Sequence, residues 1–99
     1  QYTFGKLPPQ ENDLEEAVLG AMMLEPHAVN VVIEILTPAS FYLPAHQKIY
    51  QAIFNLFGQN KSIDILTVAE ELKKMGALEE AGGVYYLSSL TNKVASSAN

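Results

Sequence analysis

The sequence contains no cysteine, which excludes disulfide bonds and thiol catalysis. It also weakens any proposal of a structural zinc site, since such sites usually use thiolate ligands. No apolar run approaches the roughly 18 residues that a membrane-spanning helix needs, and the first residues lack the basic and apolar regions of a secretory signal. We therefore expect a cytoplasmic chain without membrane contact.

Arginine is also absent, so that all six cationic residues are lysines, and the formal net charge is -5. Nucleic-acid-binding proteins concentrate positive charge and favour the guanidinium group for contacts with bases and phosphates. A DNA duplex would meet a repulsive average field here. The charge therefore favours proteins as partners and predicts no direct contact with nucleic acid.

The chain is long enough for one folded domain with one core, because domains of this size bury roughly two-thirds of their unfolded surface. Hydrophobic residues make up 48% of its 99 residues and charged residues 17%, a composition typical of packed domains rather than disordered chains. Helical periodicity dominates the apolar pattern. We predict an all-α fold, a small orthogonal bundle of about five to six helices.

Two helices are predicted in the first third of the chain. Asn12 followed by Glu15 forms a capping-box pattern before a first helix over 13–24. Pro26 suits the first turn of a second helix. The β-branched residues within 31–35 are also compatible with a buried strand, but the polar residues of this stretch fall on one face of a helix: His27, Asn30, Glu34 and Thr37.

Three more helices follow. Pro44 opens the third, which Gly58 ends, and Asp64 is a suitable N-cap for a fourth over 65–75 with Gly76 as its stop. Val84 lies near the start of the fifth. The residues expected in the core recur at helical spacing: Val18, Met22, Val32, Leu36, Ile49, Ile53, Phe54, Leu56, Leu72 and Leu87.

The motifs that most resemble binding sites have structural interpretations. Gly82 and Gly83 precede a helix and could present amides to an anion, but no phosphate-loop motif accompanies them, so a tight turn and close packing are favoured. The Lys73-Lys74 pair follows Glu70-Glu71 by about one helical turn, and lysines suit a helix C-terminus. We predict a solvated helix face there.

No set of residues predicts catalysis. The two histidines, His27 and His46, lack a partner at metal-ligand or triad spacing; His27 is expected in solvent, and His46 beside a local hydrogen-bond partner. The glutamate pairs 15–16, 70–71 and 79–80 are expected on exposed helices or turns, where carboxylates are seldom catalytic. We predict no catalytic, cofactor-binding or metal-binding residue in this chain.

One aromatic side chain is a candidate for a partner surface. Tyr85 lies off the apolar stripe of the fifth helix, beside Tyr86, and so could face solvent. Aromatic side chains that are exposed in this way often anchor protein partners. Tyr85 is the partner-contact residue that the sequence suggests.

Several segments together resemble one family, the N-terminal domain of the bacterial replicative DNA helicase (DnaB family). They are "LPPQENDLEEAVLGAMMLEP", "FYLPAHQKIYQAIFNL", "SIDILTVAEELKKMGALEEAGGVYYLSSLTN" and the closing "SAN". Each segment alone is a weak signal, but together they are specific. The resemblance extends from about residue 7 to residue 99.

The resemblance implies an assembly and interaction domain within a bacterial helicase. In the family, ATP and Mg²⁺ are used by a separate RecA-like motor domain, so this chain is expected to hold no cofactor and to have no helicase activity. The domain, with a helical hairpin that follows it, supports the hexamer of helicase subunits and binds primase. Without that hairpin, primase binding is expected to be weak or absent, and the isolated chain to be a monomer or weak dimer.

The domain boundaries expected from the resemblance are a lead-in segment over 1–11, a globular head over 12–92 and the start of a link to the hairpin over 93–99. Two other functions remain open from the residues alone. One is an independent acidic helical adaptor unrelated to replication. The other is a small DNA-binding helical domain, since short helices joined by turns can resemble a helix-turn-helix motif, although the charge opposes it.

Overall fold

This computed structural model describes residues 11–97 of the chain. These residues contain five α-helices, one 3-10 helix and no strand. The fold is all-α, as predicted. Residues 1–10 of the predicted lead-in segment lie outside the described residues. In chain order the elements are α1 (Asn12–Leu24), α2 (Pro26–Val32), the 3-10 helix Pro38–Ser40, α3 (Pro44–Gly58), α4 (Ile65–Lys74) and α5 (Gly83–Ser97).

The first and last helices form the centre of the packing. α1 packs most extensively on α5 and also contacts α2 and α3, while α4 lies against both α3 and α5. The first and last helices of the sequence are therefore in direct contact, and α5 closes the bundle. Within residues 11–97, no helix combines the length and the apolar character that crossing a bilayer would require.

A close approach of backbones explains how α1 and α5 pack. Gly20 of α1 is buried, and a Cβ atom placed on it would lie 2.4 Å from the carbonyl oxygen of Leu90 in α5. Such a distance is far inside van der Waals contact, so only glycine allows the helices to approach in this way. The sequence analysis did not identify this residue.

The predicted cap of the first helix is wrong. Glu11, not Asn12, is the N-cap residue, and no side chain caps the helix. The Glu15 side chain points into the protein and bonds with other elements, so it cannot fold back onto the helix start. A capping-box pattern describes a local possibility, and here tertiary contacts take the carboxylate instead.

The later helix boundaries follow the sequence more closely. Asp64 caps α4 as predicted: its Oδ1 accepts a hydrogen bond from the Thr67 amide at 2.9 Å, and the Thr67 hydroxyl oxygen accepts one from the Asp64 amide at 2.9 Å. Gly76 then adopts a φ of 69°, the left-handed conformation expected of a helix stop. Lys73 and Lys74 are exposed in the last turn of α4.

The predicted core residues differ in burial. Six are buried and three are partly buried against them: the buried ones are Met22, Ile49, Ile53, Leu56, Leu72 and Leu87, and the partly buried ones are Val18, Val32 and Leu36. Phe54 departs from the prediction, because 44% of it is exposed. It lies at the edge of the buried face of α3, where Tyr50 covers only one side of its ring, at a centroid distance of 6.4 Å.

Candidate functional site

Three buried or half-buried side chains form a continuous hydrogen-bonded chain across α1, α3 and α5. Glu15 Oε1 lies 2.7 Å from His46 Nδ1, and His46 Nε2 lies 2.6 Å from the Tyr86 hydroxyl. Glu15 and His46 have no exposed surface. We call this set the Glu15–His46–Tyr86 network. It joins residues that are 31 and 40 positions apart in the sequence.

The protons of this network can be placed by considering its two ends. Burial, together with the nearby negative charge of Glu16, raises the pKa of the Tyr86 hydroxyl to about 12, so this hydroxyl keeps its proton at neutral pH. It can then donate to His46 Nε2. The same imidazole donates from Nδ1 to the Glu15 carboxylate, and every group in the chain has a partner.

The second carboxylate oxygen of Glu15 is also used. Oε2 accepts a hydrogen bond from the Tyr42 amide at 2.8 Å, which ties α1 to the segment that leads into α3. Among the described residues, no buried side-chain nitrogen or oxygen lacks a hydrogen-bond partner. A buried carboxylate is tolerated when it is bonded in this way, because desolvation of an unpaired polar group is costly.

These positions correct two predictions. Glu15 was expected on an exposed face, and His46 beside a local partner, but both are buried and their bonds join distant helices. Glu71 was also expected in solvent; it is buried and accepts a hydrogen bond from Asn55 Nδ2 at 3.1 Å. Neither Glu15 nor Glu71 lies within an apolar run, so the sequence alone does not show that these side chains are buried. His27 is exposed, as predicted.

The geometry of the network suits a structural role. A carboxylate, an imidazole and a hydroxyl in series can activate a nucleophile, but only where substrate reaches the hydroxyl. Here the Tyr86 hydroxyl is directed at His46, and the rings of the two residues are nearly parallel at a centroid distance of 5.9 Å. The pocket described below is lined by other residues. The network therefore fixes three helices relative to one another.

A surface ion-pair cluster supports the same pair of helices. The Lys93 ammonium of α5 contacts the Glu16 carboxylate and lies 3.2 Å from Asp13 Oδ1, both in α1. These hydrogen bonds raise the pKa of the Lys93 side chain. Because the cluster is exposed to solvent, its contribution to stability is small compared with that of the buried network.

The Gly82-Gly83 step forms the tight turn that the sequence predicted. Both residues have positive φ, 102° and 77°, and a Cβ atom on Gly82 would lie 2.8 Å from the Tyr86 side chain. The glycines thus let the chain turn sharply into α5 and bring the Tyr86 ring close to the turn. This accounts for the glycines through packing, and no anion is needed to explain them.

Tyr85 has the opposite environment to its neighbour. It is 88% exposed, and Val84 beside it is about half exposed, so two apolar side chains stand in solvent at the first turn of α5. The predicted exposure of Tyr85 is correct. Its role as a partner contact stays a prediction.

A shallow pocket of about 340 Å³ lies between the start of α2 and the segment joining α3 to α4. Its apolar lining comes from Pro26, Val29, Phe57 and Ile63, and Lys61 is its one charged lining residue. Phe57 lies in the last turn of α3 and is 42% exposed, and the sequence did not single it out as a surface residue.

Comparisons with known proteins agree with this architecture. A family model described as "DnaB-like helicase N terminal domain" matches residues 7–99. The chain is 56% identical over 95 residues to the replicative DNA helicase DnaB of Rhodothermus marinus, covering 96% of this chain and 10% of that protein. It is 44% identical over 94 residues to the replicative DNA helicase DnaC of Bacillus subtilis, covering 95% and 21% respectively.

A solved structure shows the same fold. The crystal structure of the N-terminal domain of DnaB helicase from Mycobacterium tuberculosis is similar with a TM-score of 0.83 and 44% identity, covering 89% of this chain and 64% of that one. The chain spans about a tenth to a fifth of the length of the two curated relatives above. Their similarity therefore concerns one domain of much longer proteins.

Proposed function

Because this chain belongs to the DnaB-like helicase N-terminal domain family, we propose that it is the assembly and protein-interaction head of a replicative DNA helicase. In this role it contributes to the organisation of a hexamer of helicase subunits and to the interaction with primase. The observation that carries the proposal is the 56% identity across nearly the whole chain to one small part of a replicative helicase.

The proposal assigns ATP hydrolysis and DNA translocation to another domain of the parent protein. ATP and Mg²⁺ would bind in that motor domain, and this chain would supply no catalytic group. The Glu15–His46–Tyr86 network supports such a division, because it places an imidazole and a carboxylate in the interior as links between helices. What the head offers to other proteins is a rigid surface.

The exposed apolar side chains supply the contacts that an interaction head needs. Tyr85 and Val84 protrude at the start of α5. The residue after them, Tyr86, is held in place by the Glu15–His46–Tyr86 network. An anchor residue on a rigid element loses little conformational entropy on binding, which favours affinity. Tyr85 is therefore our candidate for contact with another helicase subunit or with primase.

Removal of this domain from the parent helicase tests the proposal. Native mass spectrometry should show fewer intact hexamers, and stimulation by primase should fall, whereas ATP hydrolysis by the motor should persist. A Tyr85→Ala variant is the finer test, and Tyr42→Ala, which removes a tyrosine that is 48% exposed, is its control. Hexamers and primase stimulation that survive deletion of the whole domain would contradict the proposal.

The isolated chain is expected to be a monomer or a weak dimer. A stable interface usually buries about 800 Å² on each partner, whereas the exposed apolar side chains of the described residues are spread over all five α-helices. Analytical ultracentrifugation at tens of micromolar measures this. A tight hexamer of the isolated chain would show that the head alone is sufficient for the ring.

The DNA-binding alternative has a direct test. The chain has six lysines, no arginine and a net charge of -5, so we expect no retarded band in a mobility shift assay at ~50 mM salt, where electrostatic binding is strongest. Clear retention of a duplex would revive that alternative. The idea of an adaptor unrelated to replication is disfavoured by the family to which the chain belongs.

A further inference from the structure

The pocket between α2 and the α3–α4 segment combines features that suit one class of ligand. Val29 and Phe57 form part of an apolar lining, and Lys61 stands at the same opening. Among residues 11–97, Lys61 takes part in none of the ion pairs, which involve only His46 and Lys93 as cations. An apolar surface therefore adjoins a positive charge that is available to a partner.

The segment that carries Lys61 is held in a defined conformation. Asn60 adopts a positive φ of 59°, its amide donates to the Phe57 carbonyl at 3.0 Å, and the Lys61 amide donates to the Leu56 carbonyl at 3.0 Å. These bonds close the end of α3 as a left-handed cap. The lysine is thus presented from an ordered turn beside the exposed ring of Phe57.

Backbone donors are also present at this pocket. Within the described part of the chain, the amides of Ser62 and Ile63 donate no backbone hydrogen bond. Both residues line the pocket, and they lie in the short extended segment before α4. A peptide backbone or a carboxylate could accept from them, whereas a purely apolar ligand could not.

We propose that this pocket binds a short acidic peptide segment that places an apolar side chain against Val29 and Phe57 and a carboxylate beside Lys61. Lys61 argues for this occupant, because it places a positive charge that is unpaired among the described residues beside an apolar surface, where a carboxylate next to an apolar side chain is favoured. The proposal rests on the role of the domain as an interaction head and names the chemistry of one partner segment. A second copy of this chain is the competing occupant.

Nuclear magnetic resonance titration of the whole 99-residue chain tests this proposal. The probe is a blocked tripeptide of leucine, phenylalanine and aspartate, and the control probe has lysine in place of aspartate. We expect saturable shift changes at the amides of residues 29–30 and 60–63, with a Kd on the order of 1 mM for so small a ligand. The lysine tripeptide should bind more weakly.

Two charge-reversal variants separate the pocket from the average charge of the protein. Lys61→Glu should weaken binding of the acidic tripeptide by about threefold or more, the scale of an exposed ion pair. Lys73→Glu changes the net charge equally but lies in the last turn of α4, outside the pocket, and should leave the Kd nearly unchanged. Because both side chains are exposed, neither change should unfold the domain.

Three results would overturn the proposal. The first is an absence of saturable shifts, and the second is equal binding of the acidic and lysine tripeptides or of the two charge-reversal variants. The third is a set of shifts at the same amides that appears on concentrating the protein alone, which would assign the pocket to a second copy. If the pocket fails these tests while deletion of the domain still disrupts hexamers, the assembly role stands without it.

Discussion

Replacing Glu15 with alanine should destabilise the domain clearly more than the same change at its neighbour Glu16. The substitution leaves the buried Nδ1–H of His46 without an acceptor and removes the acceptor of the Tyr42 amide. A buried donor without a partner costs about 1–3 kcal/mol, and the Tyr42 amide can regain water at lower cost. Removing the buried carboxylate also removes its desolvation cost, which offsets part of this loss. We therefore expect a net loss of about 1–3 kcal/mol, out of a total stability of about 5–15 kcal/mol for a domain of this size.

Urea unfolding followed by circular dichroism measures this loss through the midpoint and slope of the transition. Glu15→Gln should be intermediate, because the amide keeps one acceptor oxygen for two donors. Glu16→Ala is the matched control: its partner Lys93 lies at the surface, so less than about 1 kcal/mol should be lost. A Glu15→Ala protein within about 0.5 kcal/mol of the wild type would refute the reasoning.

Four further predictions concern stability and use the same unfolding measurement. Ile53→Ala should cost about 2–5 kcal/mol because the side chain is fully buried in α3, and a loss below about 1 kcal/mol would contradict this placement. Asp64→Ala should lose about 1 kcal/mol by removing the cap of α4, so an unchanged midpoint would count against that cap. Gly20→Ala should cost about 1–3 kcal/mol or more, since its methyl group would overlap the Leu90 carbonyl; wild-type stability would mean that α1 and α5 can separate without penalty. Finally, the free energy of unfolding should fall as the pH rises from about 10 towards about 12. Folding raises the pKa of Tyr86 from its ordinary value of 10.0 to about 12, so its contribution to stability is fully present below pH 10 and is lost as the pH rises through about 12. Tyr86→Phe should show a smaller fall over this range, and an equal fall would assign the pH dependence to other groups.

The helical framework could be predicted because its signals are local. Pro44 and Gly58 delimit α3 as predicted, and the Asp64 cap and the Gly76 stop each depend on residues within one turn. The predicted fold class and family are likewise confirmed. These features arise from backbone restrictions and short-range hydrogen bonds, which a sequence pattern records directly.

The interior network could not be predicted because its determinants are far apart. The pattern at Glu15 is compatible with a capping box, and only the arrival of α3 and α5 decides that its carboxylate turns inward. Phe54 shows the converse: its helical spacing matches the core, but 44% of it is exposed. In both cases the outcome depends on tertiary neighbours rather than on spacing within one helix.

The buried network also explains how one helix can serve the interior and the surface at once. Successive residues of a helix project about 100° apart, so when Tyr86 is directed at His46 and Leu87 is buried, Tyr85 falls on the opposite side from Leu87 and faces solvent. The Gly82 turn brings the backbone close to the Tyr86 ring and so limits the rotation of α5 about its own axis. The direction of the exposed tyrosine is therefore set by groups that lie in the interior, and changes in the network should alter how Tyr85 is presented at the surface.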